Sequence, residues 1–152
     1  MKIKIDEDLI LLDLPADSKE EVLGEMADVL NHQGFVKESY KAAVIAREKI
    51  FATGLPTASC GVAIPHTDIV HVIEPAICFA RLKKAVDFVV MGEESETVET
   101  VIVFMLAMNE PDAQLDLLQK LMGMFQNAET MQYLSTATDK KEVQSFILEK
   151  LN

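Results

Sequence analysis

The sequence predicts a single α/β domain, with a mixed sheet of about five strands flanked by helices on both faces. Three observations carry this. Segments with apolar residues three and four apart precede, interrupt and follow short apolar runs, so helices and strands are interleaved. One run, Val98 to Met108, is apolar enough to lie at a sheet centre. No repeat or linker divides the 152 residues, so one domain over 1–152 is the simplest reading. A chain this long buries roughly two-thirds of its unfolded surface and needs neither disulfide nor metal to fold.

Each element follows in order. Lys2-Ile3-Lys4-Ile5 alternates, and Leu9 to Leu14 is apolar, giving one or two short strands ended by Pro15. Ser18-Lys19-Glu20-Glu21 reads as a capping box, opening a helix on Val22, Leu23, Met26, Val29 and Leu30 that Gly34 stops. A second helix is predicted from Glu38 to Phe51 on Tyr40, Ala43, Val44 and Arg47. Thr53 to Ser59 reads as a loop by composition, and Gly61 to Ile64 as a short buried strand cut off by Pro65. Strands follow at Ala76–Leu82 and Val86–Met91, then an acidic loop at Gly92–Glu96 and the central strand. A helix beginning at Asn109–Asp112 carries an apolar face of Leu115, Leu118, Leu121, Met122 and Phe125. A short helix at Ala128–Leu134 and an amphipathic one at Asp139–Lys150 complete the chain. The eight methionines fall mostly on these core faces, as gap-filling side chains.

Composition excludes several classes. Net charge is -11, which repels a phosphate backbone, so a nucleic-acid role is not expected. The longest apolar run, Val101 to Met108, is far short of the about 20 residues a spanning helix needs, and the charged start is no signal peptide. The expected location is the cytoplasm, with no membrane insertion and with Cys60 and Cys78 reduced. Glycine-rich nucleotide loops and a nucleophile elbow are absent from the sequence. The spacing His66-x-Asp68-x-x-His71, with or without Cys60, fits no zinc pattern. Neither a cofactor nor a metal is expected.

Among the histidines, His32 ends a surface helix, where its structural role is with the dipole and last carbonyls. His66 follows Val62-Ala63-Ile64-Pro65, where the chain leaves a buried strand. Pro65 cannot donate to a ladder and stiffens the backbone just before the imidazole. That places the ring at a sheet rim, where open α/β sheets keep their sites. Position alone leaves two readings open, a functional histidine or an ordinary turn residue. Cys60 is a conceivable nucleophile, and more simply a small buried thiol.

Arg47-Glu48, Thr53-Gly54 and Gly61-Val62-Ala63-Ile64-Pro65-His66 together resemble the enzyme IIA (EIIA) domain of the phosphoenolpyruvate-dependent sugar phosphotransferase system (PTS), mannitol/fructose type. The resemblance extends over nearly the whole chain. Ile45-Ala46-Arg47-Glu48 and Ile69-Val70-His71 are most similar to the galactitol-specific subgroup. Thr67 departs from the pattern, since Gly often follows the histidine in this branch. No histidine follows His71, whereas the mannitol type has one far downstream.

The resemblance implies a phosphotransferase that works as a histidine phosphoryl carrier. His66 is then the acceptor, charged by the phosphocarrier protein HPr and discharged to a cysteine of the cognate EIIB as membrane EIIC imports the sugar, a galactitol-like polyol or a related one. Imidazole chemistry suits this, because a neutral ring is a good nucleophile near pH 7. Phosphoryl transfer needs in-line positioning and a few donors rather than a metal. Arg47 has a guanidinium fork that matches phosphate oxygens, unless it is a plain surface arginine. His71 either donates to the group, orients His66 or is a turn histidine. Thr53 and Thr67 offer hydroxyl donors. An apolar patch around His66, including Ile69 and Val70 and rimmed by carboxylates, is expected to meet partners. The competing readings are a nitrogen-type regulatory EIIA phosphoprotein on the same fold, and a small-molecule or metal-binding domain without turnover.

Overall fold

The computed structural model describes residues 3–151. Met1, Lys2 and Asn152 lie outside the described residues, and with Lys2 the start of the predicted opening strand. The rest of that stretch contributes one bridge, Lys4 to Ala76, and a 3-10 turn at Glu7–Leu9 leads into β1 (Ile10–Leu14). The helix α1 (Lys19–His32) is capped as predicted, with Ser18 Oγ accepting from the Glu21 N–H at 3.2 Å. Glu21 reaches back to the Asp17 N–H, one residue earlier than the simple box requires. Beyond the helix end Gly34 takes φ 85°, a conformation that favours glycine. The next helix, α2 (Ser39–Ile50), matches its periodicity.

The predicted loop at Thr53–Ser59 contains a strand, β2 (Gly54–Pro56), antiparallel to β3 (Gly61–Ala63). Glycine and proline composition hid it, yet Gly54 is there for close approach. A Cβ at that position would lie 2.6 Å from the Val89 carbonyl oxygen.

The two strands predicted at 76–82 and 86–91 are one, β4 (Ala76–Val90), whose register shifts between Arg81 and Val86. A bulge absorbs the exposed Lys83 and Lys84 without ending the strand. Its partner β5 (Glu93–Ala107) begins inside the predicted acidic loop. The hairpin turns at Met91-Gly92, with Gly92 at φ 79°, and the glutamates occupy its solvated end.

Sheet pairings run β1–β4–β2–β3–β5, with a further long β4–β5 ladder. β1 is parallel to β4, and β3 is parallel to β5, so the sheet is mixed. Alternation along β4 and β5 splits the core in two. Cys78, Ala80, Val103 and Met105 face α1 and α2 with Leu23, Met26, Tyr40 and Val44. Ile77, Phe79, Ile102, Phe104 and Leu106 face the other helices: α3 (Pro111–Phe125), α4 (Ala128–Thr136) and α5 (Lys140–Leu151). Both faces are therefore covered, as the sequence predicts.

One predicted core residue is misplaced. Leu115 is 60% exposed; of the predicted face Leu121 and Phe125 are buried and Leu118 and Met122 partly so, with Leu117 and Met124 buried beside them. The helix starts at Pro111, within the predicted range, but Leu115 lies two residues, about 200° of helical turn, from the buried Leu117 and so falls on the opposite face. No helix among the described residues is long and apolar enough to cross a membrane.

Three connections build the rim that carries the site. His66 bridges in parallel to Leu106, near the end of β5. The Leu106 N–H donates to the Pro65 carbonyl at 3.0 Å. The buried Tyr40 hydroxyl donates to the Leu106 carbonyl at 2.7 Å, tying α2 to the same strand end.

Candidate functional site

His66 is half-buried, where the chain leaves β3. Its Nδ1 lies 2.8 Å from the Ile64 carbonyl oxygen. A carbonyl only accepts, so Nδ1 carries the hydrogen. In the neutral ring Nε2 therefore keeps its lone pair. Burial pushes the ring's pKa below its ordinary 6.5, the Ile64 bond works upward against this, and the nearby Arg47 charge lowers it further. The ring is thus held neutral, with a defined nucleophilic nitrogen.

Arg47 comes from the last turn of α2. Its guanidinium stacks over Phe51, 4.9 Å from the ring centroid, and stands 3.9 Å from the carboxylate of Asp68. That pairing is long and Asp68 is exposed, so it holds Arg47 only weakly. Arg47 lines a groove of about 310 Å³ together with Thr67, Asp68, Ile69, Val70, Pro111 and Gln114. Val70, 63% exposed, presents apolar surface here with the exposed carboxylate of Asp68; Leu115, next to Gln114 in α3, is 60% exposed.

Thr67, 6% exposed, sits in the groove wall next to His66. Thr53 has a different placement. Its backbone N–H and its hydroxyl both donate to Glu48, at 2.7 Å each. The one hydroxyl hydrogen of Thr53 is thereby committed to a carboxylate, so as a donor it fixes the start of β2 rather than facing the groove. His71 is also engaged elsewhere. Its Nδ1 is 2.8 Å from Ser39 Oγ at the start of α2, about 12 Å along the helix axis from Arg47. No hydrogen bond among the described residues joins His71 to His66. Cys60 lies at the far end of β3 from His66, its thiol pushed up by burial.

Two further residues matter here. Glu48 is visible in the sequence only as part of a motif, yet it is 3% exposed, and burial raises its pKa against the Thr53 bonds that lower it. Gln114 left no signal at all, because a glutamine in a first helical turn is ordinary. Its Oε1 is buried without a partner among the described residues, as is Arg47 Nε.

With this geometry in view, comparison with known proteins decides the family. Residues 4–150 match the model of the phosphoenolpyruvate-dependent sugar phosphotransferase system, EIIA 2. The chain belongs to the EIIA type 2 family. This EIIA domain is 32% identical over 142 residues to the PTS system fructose-specific EIIABC component of Bacillus subtilis (strain 168), covering 92% of the domain and 20% of that protein. It is 29% identical over 118 residues to the PTS system galactitol-specific EIIA component of Escherichia coli (strain K12), covering 78% of each. The chain thus spans about a fifth of the fructose relative and most of the galactitol one. Among solved structures, IIA mannitol from Escherichia coli superposes with a TM-score of 0.76 at 25% identity, covering 99% of this chain and 100% of that one. The resemblance read from Arg47-Glu48, Thr53-Gly54 and Ala63-Ile64-Pro65-His66 is borne out, and so is the fold.

Proposed function

We propose that this EIIA domain is a covalent phosphoryl carrier, with His66 Nε2 as acceptor and Arg47 as the charged donor to the phosphoryl oxygens. The observation that carries the reading is the His66 Nδ1 bond to the Ile64 carbonyl. As the donor's P–N bond breaks, the bond from His66 Nε2 to phosphorus forms, and the donor imidazole leaves with its electron pair. The hydrogen stays on Nδ1, donated to the Ile64 carbonyl throughout, so the positive charge gained by the ring is stabilised by that carbonyl and no proton need move. Arg47 meets charge on the equatorial oxygens. Thr67 adds a hydroxyl at the groove wall. His71, anchored on Ser39, shapes the surface around the site.

The donor is HPr and the acceptor a cysteine of the cognate EIIB, with EIIC moving a galactitol-like polyol or a related sugar. The likeness to a galactitol EIIA and to an EIIABC chain supports this assignment. The exposed Val70, with the exposed carboxylate of Asp68 in the same groove, suits brief contact with basic partners in the cytoplasm.

The test is incubation with phosphoenolpyruvate, the general phosphotransferase proteins and the cognate EIIB. Acid-labile phosphate should appear on His66 and pass to EIIB, and His66→Ala protein should fold and take none. Label on a histidine of the His66→Ala protein would overturn the assignment. Label that no EIIB accepts would replace transport with regulation.

A further inference from the structure

The groove beside His66 contains a pairing of unmet polar atoms. Among the described residues two buried side-chain polar atoms have no hydrogen-bond partner, Arg47 Nε and Gln114 Oε1, and both residues line this groove. Buried polar atoms are normally satisfied, so two orphans in one groove mark a place built for something else. Arg47 Nε is a donor only. The amide of Gln114 presents oxygen or nitrogen after a half-turn about its last bond, and the two ends have nearly the same shape. A group bringing several acceptor oxygens satisfies both at once, with Gln114 turned to offer its NH2. The same wall carries Pro111 and Gln114 from the first turn of α3, whose N-cap Glu110 makes no side-chain capping bond.

We infer that Gln114 is a phosphoryl-binding residue, its side-chain amide donating to an oxygen of the group carried on His66 opposite the guanidinium of Arg47. The inference rests on the phosphoryl-carrier reading above and adds a residue to it. Gln114 forms no covalent bond and transfers no proton. A neutral amide steadies the anion without adding a second positive charge, which suits a group that must leave again.

The experiment uses the full chain and phosphoramidate as a small phosphoryl donor, so no partner protein enters. Labelling rate at His66, lifetime of the phosphorylated form and its 31P resonance are compared for wild type, Gln114→Leu and Gln114→Glu, with thermal unfolding as the fold control. Gln114→Leu should slow labelling about tenfold, as expected for loss of one hydrogen bond to a charged group. Gln114→Glu, nearly the same shape with a repelling carboxylate, should slow it more. Both should shift the 31P resonance while unfolding stays near wild type. If wild type labels at His66 and both variants match it in rate, lifetime and resonance, Gln114 has no such role and only a bridging water satisfies the groove. If wild type takes no label at His66, the carrier reading falls first, and this inference with it.

Discussion

Glu48 grips Thr53 with both carboxylate oxygens, one on the backbone N–H and one on the hydroxyl. This clasp joins the end of α2, which carries Arg47, to the strand that pairs with β3, which leads to His66. It gives a structural reason for the Arg-Glu and Thr-Gly motifs occurring together. Glu48→Ala should lower stability by about 2 kcal/mol, because the buried Thr53 N–H loses its acceptor. Glu48→Gln, which keeps one acceptor, should cost less. Chemical denaturation of the two variants checks the order.

The tautomer of His66 is directly measurable. Nitrogen NMR should show hydrogen on Nδ1 and a bare Nε2 at neutral pH. The ring should titrate below 6.5, because burial and the Arg47 charge disfavour the cation. Unfolded chain binds the extra proton in the window between the folded value and 6.5. Stability therefore falls as pH drops through that window and is unaffected above it. Arg47→Ala should raise the His66 pKa. A pKa above 6.5 in the wild type would contradict the geometry.

Arg47→Ala should slow phosphorylation of His66 at least tenfold without altering the fold, since it removes a charge-assisted donor. Arg47→Lys should recover only part of the rate, because an ammonium lacks the planar fork. Asp68→Asn frees Arg47 from its exposed carboxylate partner and should leave stability within about 0.5 kcal/mol of wild type. Rates from rapid quench, beside melting curves, separate these effects.

Two glycines predict opposite outcomes. A Cβ on Gly61 would stand 2.1 Å from the Glu99 carbonyl oxygen, against the backbone of β5. Gly61→Ala should cost about 3 kcal/mol, the upper range for overpacking, and disturb the strand leading to His66. Gly123 is exposed within α3, and a Cβ there meets nothing within 4 Å. Gly123→Ala should add about 1 kcal/mol through helix propensity. Thermal unfolding distinguishes them.

Local signals were readable and distant pairings were not. The Ser18 cap, the Gly34 stop and the period of α1 and α2 are interactions within a few residues, so the sequence displays them. The β2 strand was missed because glycine and proline there look like a loop, while the reason for Gly54 is the Val89 carbonyl, far along the chain. The long β4–β5 hairpin was broken at Lys83-Lys84 and at the glutamates, because charge marks exposure equally on a solvated strand and in a loop. His71 and Thr53 stood near His66 in sequence, yet Ser39 and Glu48 hold them.

By itself the amino-acid order determined the alternating core, the helix caps and the proline that delivers His66 to a strand exit. These depend on neighbours, and neighbours are written in the chain. Only tertiary structure decided that Arg47 and Gln114 line one groove, and that His71 is tied to α2 instead. Those outcomes depend on how α2, the segment after β3 and the first turn of α3 converge. Hydrophobic periodicity says which face of an element is buried, but not which distant side chain it will meet.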